Sequence, residues 1–388
     1  MGAEIIFIIS LALIAYTYAG YPVAIFLLSR MLHRPVVKAE FTPKVSIIIA
    51  AYNEQRDIAR KIENTLALDY PGEKLEIIVA SDCSTDRTDE IVRGYSGKGV
   101  MLHRRPERIG KSVAQNHAMK VSTGEIIVFS DATTMYEPDA VRKIVRSFAD
   151  PEVGCVAGQL VYVEGAASAV GQGCRSYWGY EKFLKRCESR AGSLIGVSGC
   201  LYAVRRSSYG RIALDMSSDF VIATEMHLQG LRTVYDEEAI SVEDTNKRGK
   251  DEFRMRVRVI EQTMSAMHRY GEVLNPFRHG MYAFQMISHK VFRYAVPFFL
   301  LAAFIANLTL IGASTFYRNA FIIQAALYLA ALLGWCCDKV GLKLKPLAFP
   351  YYFVLTNAAS MAAFLKFMQG DAHIVWEPLR EPGSSEGV

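Results

Sequence analysis

None of the seven cysteines forms a C-x-x-C pair, and no His-rich tract accompanies them. A zinc ribbon and a disulfide framework are thereby excluded. The cysteines read as reduced thiols in or near the cytosol, and Cys336-Cys337, inside an apolar segment, as membrane or core filler. No run of five or more basic residues occurs either: 44 Lys and Arg against 39 Asp and Glu leave a net charge of +5 on 388 residues. Such a balance carries no nucleic-acid footprint. The chain also lacks a low-complexity linker and any repeat with a period of about 20–50 residues, which excludes solenoids and propellers.

Charge itself is missing from four stretches, Ile5–Leu28, Tyr294–Tyr317, Asn319–Cys337 and Pro346–Leu365. Each approaches or exceeds the ~20 residues that cross the hydrocarbon layer of a bilayer. The first has no basic residue before it, too long an apolar run for a signal peptide and no small-residue cleavage site behind it, so it is expected to stay as an anchor. Arg30, Arg34, Lys38 and Lys44 follow it while only Glu4 precedes it. The positive-inside rule then puts the next domain in the cytoplasm of a multi-pass protein of the inner (plasma) membrane, in contact with membrane lipid.

The expected layout is an N-terminal transmembrane helix over 1–30, one α/β domain over 40–275, three transmembrane helices over 294–368 and a tail over 369–388. Between them, over 276–293, His279, His289, Lys290 and Arg293 alternate with Met, Phe and Tyr. This stretch reads either as a helix lying flat on the bilayer surface or as an ordinary domain-closing helix. Inside the domain, Val45–Ala50, Leu75–Ala80, Val100–His103 and Glu125–Ser130 read as strands, and Glu54–Leu68, Thr85–Tyr95 and Lys111–Val121 as helices. That alternation predicts a parallel, doubly wound sheet. After Asp150 the pattern becomes mixed, with a strand at Cys155–Val163, a helix over Ser176–Ser189 and a small-residue segment at Gly192–Ala203.

Ligands of doubly wound sheets bind beyond the carboxyl ends of the strands. There this chain carries Asn53-Glu54, Asp82 and Asp131. Any one of these could be a turn former or helix cap, as the composition of Asp82-Cys-Ser-Thr-Asp86 suggests. Three strands delivering acids to one rim point to a site.

The ordered segments Ala51-Tyr52-Asn53-Glu54, Ser81-Asp82-Cys83-Ser84-Thr85-Asp86, Gly110-Lys111-Ser112-Val113-Ala114-Gln115-Asn116 and Phe129-Ser130-Asp131 resemble the signature of glycosyltransferase family 2. Ser198-Gly199-Cys200 through Arg206 resembles that family's acceptor segment, and Ser218-Asp219-Phe220 its catalytic acidic motif. The likeness covers about residues 44–270 and implies a GT-A fold, a Rossmann-like mixed sheet, here flanked by transmembrane helices as in membrane polysaccharide synthases. It further implies that Tyr52, Asn53, Glu54, Asp82 and Lys111 hold a nucleotide-sugar donor, a UDP-sugar by expectation. Asp131 would face the diphosphate with Mg²⁺ or Mn²⁺, a hard cation suited to oxygen ligands. Gly199 and Cys200 would meet the acceptor, a lipid-linked or polysaccharide glycan. Asp219 would be the base in an inverting hexosyl transfer. Arg254 and Arg258, i,i+4 neighbours on one helix face, suit the diphosphate, with a lipid-facing basic helix as the alternative.

The chain departs from the family pattern twice. Thr133 stands where the metal motif has its second Asp, and Phe253–Val259 has neither the Gln nor the Trp of the processive synthases' acceptor-holding segment. Gly110-Lys111-Ser112 is no phosphate-binding P-loop, because Arg105 stands where the motif needs Gly. Two alternatives to a transferase of one or a few sugars stay open: a processive synthase, or a degenerate transferase-fold sensor. Thr133 favours the sensor, and Asp219 speaks against it.

Overall fold

The computed structural model describes residues 1–163, 169–210, 216–244, 249–342 and 344–370; the expected tail lies, from residue 371, outside them. In chain order the structure runs α1 (Gly2–Ala15), α2 (Tyr21–Met31), β1 (Val45–Ala51), α3 (Ile58–Leu66), β2 (Leu75–Ser81), α4 (Thr88–Gly94), β3 (Val100–Arg104) and α5 (Lys111–Val121). Next come β4 (Ile126–Asp131), β5 (Met135–Tyr136), α6 (Ala140–Arg146), β6 (Val153–Val163), α7 (Ala169–Ala191), β7 (Tyr202–Arg205), α8 (Ser218–Leu228) and β8 (Arg232–Asp244). The remainder is helical: α9 (Gly249–Arg269), α10 (Pro276–Met286), α11 (Phe292–Leu310), α12 (Thr315–Lys339) and α13 (Lys345–Gln369).

The chain divides into two compact units. The α/β unit, residues 36–161 and 196–243, holds one mixed sheet in the order β3-β2-β1-β4-β7-β6-β8-β5. Strands β1 to β4 are parallel, as the alternation predicts; β7 turns antiparallel to β4, and β6 antiparallel to β7. Both faces are covered. Val45, Ile47 and Ile49 pack with Ile58 and Ile62 of α3, Val92 of α4 and Ile144 of α6, while Ile48, Ile78 and Phe129 pack with Ala114 and Ala118 of α5 and Ile222 of α8. A strand buried on both sides has no polar face, which is why every residue of β1 is buried and all but Ser46 are apolar. The parallel order leaves the carboxyl ends of β1, β2 and β4 side by side.

The helical unit comprises residues 1–35, 162–195 and 244–372. Gly2–Met31, Pro276–Leu310, Thr315–Lys339 and Lys345–Gln369 are long and apolar enough to cross a membrane. The amphipathic stretch 276–293 is continuous with the second of these, broken only by a kink at Gly280, whose φ is 49°. Helices α7 and α9, placed by sequence in the transferase domain, pack here instead because they carry the partners of buried charges. Glu188 of α7 accepts from Tyr21 Oη (2.6 Å) and pairs with His289 (2.6 Å), and Glu181 pairs with Arg293. On α9, Glu252 pairs with Arg256 (2.7 Å) and accepts from Tyr352 Oη (2.9 Å). Buried charges are tolerated only when so satisfied.

Candidate active site

At the rim beyond β1 and β2, short polar side chains tie loops together. Asn53 adopts φ 55°, a left-handed conformation that asparagine accepts more readily than most residues. Its Oδ1 accepts from the backbone N–H of Thr85 (2.7 Å) and Asp86 (3.3 Å), which fixes the β2–α4 loop to the β1–α3 loop. Glu54 is buried, and its N–H donates to Thr88 Oγ1 (2.7 Å). The Arg108 guanidinium lies 3.8 Å from the ring centroid of Tyr52. Asp82, also buried, receives the N–H of Ile109 (3.1 Å) on Oδ1 and that of Gly110 (2.7 Å) on Oδ2. Gly110 has φ 116° and ψ 161°, a conformation in practice reserved for glycine, and leads into α5. Asp82 thus anchors the loop that delivers Lys111.

From the first turn of α5, Lys111 extends its ammonium onto Asp131, at the end of β4. Burial by itself lowers the affinity of this ammonium for its proton, but Asp131 and then Asp219 outweigh it, and the pKa is raised above the usual lysine value. Asp219 lies in the first turn of α8, where the helix dipole favours a carboxylate, and Ser218 Oγ donates to its Oδ1 (3.2 Å). Gly199 closes the group. A Cβ there would lie 2.8 and 2.9 Å from the Asp219 carboxylate oxygens and 3.0 Å from Lys111 Nζ. Only glycine lets acid and ammonium approach so near. The structure therefore gathers Lys111, Asp131, Gly199 and Asp219, which lie far apart in sequence.

The neighbouring residue of the acceptor segment, Cys200, is buried, and its Sγ donates to Glu243 Oε2 (3.0 Å). Glu243, near the end of β8, also accepts from Thr133 Oγ1 (3.0 Å). Burial and then the charge of Asp131 push its pKa up. Beneath these groups Lys61 of α3 is fully buried, donates to the Thr134 carbonyl (2.6 Å) and lies 3.6 Å from the Tyr136 ring centroid. Burial lowers its pKa to about 7, against the opposing pull of Asp131, Cys200 and Glu243. Sequence reasoning missed Glu243, Lys61 and Arg108. Glu243 lay on a strand not expected from sequence, though an acid at a strand end was the available signal. Lys61 looked like one more solvated helix lysine.

Arg254 and Arg258 lie on α9 of the helical unit; Arg254 is exposed, and Arg256 between them is held by Glu252. Among the described residues no group of three or more His, Cys, Asp or Glu is gathered to hold a metal by itself. The oxygen donors of Asp131, Glu243 and Thr133 nonetheless suit a hard cation of the kind that takes one or two carboxylates and completes its shell with substrate phosphates. An ammonium already occupies Asp131, so this carboxylate is placed to hold positive charge.

Residues 46–212 match the family described as glycosyl transferase family 2. Poly-beta-1,6-N-acetyl-D-glucosamine synthase of Staphylococcus aureus is 27% identical over 210 residues, 52% of this chain and 50% of that protein. Beta-monoglucosyldiacylglycerol synthase of a Synechocystis species is 32% identical over 118 residues, 29% of this chain and 25% of that one. The match thus spans half the length of the first relative and a quarter of the second. A mannosyltransferase from Pyrobaculum calidifontis, solved with GDP-Man and Mn²⁺, superposes with a TM-score of 0.73 at 26% identity, over 94% of this chain and 99% of that one. The signature segments, the mixed sheet and these likenesses agree: residues 46–212 carry a glycosyl transferase family 2 domain with a GT-A fold, and helices long and apolar enough to cross a membrane precede and follow it in the chain.

Proposed function

We propose that the protein transfers a hexose, with inversion, from a nucleoside diphosphate sugar to a lipid-linked or glycan acceptor held at the membrane, with its α/β unit on the cytoplasmic side. The observation that carries this reading is the meeting of Asp219 and Lys111 over Gly199. A carboxylate beside a fixed ammonium has the two things the reaction needs, a proton acceptor and a positive charge near the leaving group. Asp219 takes the proton of the acceptor hydroxyl, the hydroxyl oxygen bonds to the anomeric carbon, and the bond from that carbon to the diphosphate breaks. Attack from the face opposite the leaving group inverts the carbon. Lys111 offsets negative charge on the departing phosphates.

The rim of Tyr52, Asn53, Glu54 and Asp82 is assigned to the nucleoside. Arg254 and Arg258 are assigned to the diphosphate by guanidinium chemistry alone. Asp131 would hold Mg²⁺ or Mn²⁺, which when bound neutralises charge on the diphosphate. A uridine donor is the first choice; the guanosine donor of the mannosyltransferase makes GDP-sugars the comparison to run beside it.

Short products are favoured over a long polymer. Val257 or Val259 falls where a processive synthase would be expected to carry its clamping aromatic; of the rings that could replace it, Trp178 and Tyr202, the second is fully buried and stacked on Phe129 at 4.9 Å. The test is incubation of the purified full chain in detergent with labelled UDP- and GDP-sugars and a membrane lipid extract, followed by product sizing. Transfer of one or a few sugars supports the reading. High-molecular-weight polysaccharide made from donor alone would replace it with the processive one, and absence of transfer from every donor would leave the sensor.

A further inference from the structure

We propose that Glu243 supplies the second carboxylate of the divalent-cation site that Asp131 begins, reaching from β8 to the position that an acid at residue 133 would otherwise fill. The inference rests on the transferase reading above and concerns how this chain holds its cation. Position 133 carries a hydroxyl, and that hydroxyl donates to Glu243 Oε1 at 3.0 Å. An aspartate at 133 would have met Glu243 as a like charge, whereas threonine orients it. The second oxygen, Oε2, takes the Cys200 thiol at 3.0 Å. A carboxylate offers roughly four lone-pair sites. Two neutral donors therefore fix the direction of Glu243 without exhausting its capacity to bind.

Charge supports the same assignment. Asp131, Asp219 and Glu243 bring three carboxylates to one corner, where Lys111 pairs with Asp131 and the buried Lys61 is held by the Thr134 carbonyl. Lys61 cannot move to Glu243 without giving up the Thr134 carbonyl and the Tyr136 ring. Among the described residues Glu243 forms no ion pair; its partners are the Thr133 hydroxyl and the Cys200 thiol. A half-buried carboxylate held by neutral donors beside another carboxylate is costly as an anion until a proton or a cation neutralises it, and a divalent cation can serve both carboxylates at once. A divalent ion shared with substrate phosphates needs only one or two protein carboxylates.

The experiment measures Mn²⁺ binding by electron paramagnetic resonance on the purified full chain, in the presence of UDP or GDP, alongside nucleotide binding without metal. Glu243→Gln should weaken Mn²⁺ by about tenfold or more, as loss of a ligand does, while metal-free nucleotide affinity stays within about twofold. Adding Thr133→Asp to Glu243→Gln should recover most of the lost Mn²⁺ affinity, because the acid then comes from the turn itself. Mn²⁺ affinity in Glu243→Gln equal to that of the unaltered protein overturns the inference while leaving Asp131 as a ligand. An unaltered protein that turns over nucleotide sugar but binds no Mn²⁺ overturns it together with the cation role of Asp131, and leaves the transferase reading intact. Should Glu243→Gln fail to fold, Glu243→Asp withdraws the carboxylate by one methylene and keeps its charge; undiminished Mn²⁺ binding there also overturns the assignment.

Discussion

Replacing Gly199 with alanine tests the geometry of the site with a single methyl group. The new Cβ would sit 2.8–2.9 Å from the Asp219 oxygens and 3.0 Å from Lys111 Nζ, where ordinary contact begins at 3.4 Å. One or both side chains must therefore retreat by about half an ångström. The atoms struck are the far ends of side chains, not backbone, so the fold accommodates the change and Tm should stay within about 3 °C. Catalysis is less tolerant. A misplacement of ~1 Å costs about a hundredfold, and half that displacement of a general base predicts a kcat loss of about 10–100-fold. In free energy this is about 1.4–2.7 kcal/mol of transition-state stabilisation. The assay is release of nucleoside diphosphate at saturating donor and acceptor, with nucleotide affinity measured separately and expected to change little. A Gly199→Ala protein with kcat within about twofold of the original would show that Asp219 and Lys111 need not stand so close, and the base assignment would lose its main support.

Asp219→Asn should abolish transfer by about 10²–10⁴ yet keep nucleotide binding, and a loss under about tenfold refutes the role of Asp219 as base. Asp82→Asn turns an amide N–H toward the N–H of Ile109 or Gly110, so nucleotide affinity should fall by about tenfold; unchanged affinity in a titration would detach Asp82 from the donor site. Lys61 loses its proton near pH 7 when folded but near the ordinary 10.5 when unfolded. The unfolded chain then binds more protons between these values, so the contribution of Lys61 makes stability rise with pH across that window. Thermal melts should show Lys61→Met flattening the rise, and an unchanged slope would mean that Lys61 is not the titrating group. A protease site inserted at the exposed Gly97 should be protected in intact cells and cut after lysis; cleavage in intact cells reverses the proposed orientation.

Much of this protein follows from its one-dimensional pattern. The apolar runs of β1, β2 and β4, each with polar residues at or just beyond its carboxyl end, gave away a parallel sheet and its rim, because a strand covered on both faces is largely apolar and a ligand must be met where it ends. The charge-free stretches marked the helices long and apolar enough to cross a membrane for an equally local reason, since a bilayer core excludes charge wherever it comes from in the chain. Even the Lys111–Asp131 ion pair was half legible: both residues were named, although nothing in their spacing said that they touch.

Tertiary structure alone decided what each polar side chain is committed to. Asn53 and Asp82, read as donor ligands, staple loops: Asn53 accepts the N–H of Thr85, and Asp82 satisfies the buried N–H of Gly110, which must find whatever acceptor the fold brings near. Helices α7 and α9 joined the helical unit because their buried glutamates needed partners from α2, α11 and α13 and from the π-helical segment 287–291. Gly199 became meaningful only when α8 placed a carboxylate against it, and Glu243 only when β8 carried it to Thr133, at a separation of 110 residues. Such pairings depend on distances that sequence spacing does not encode: periodicity determines which face a residue takes, whereas the folding of distant segments against one another determines which groups share a charge, a proton or an ion.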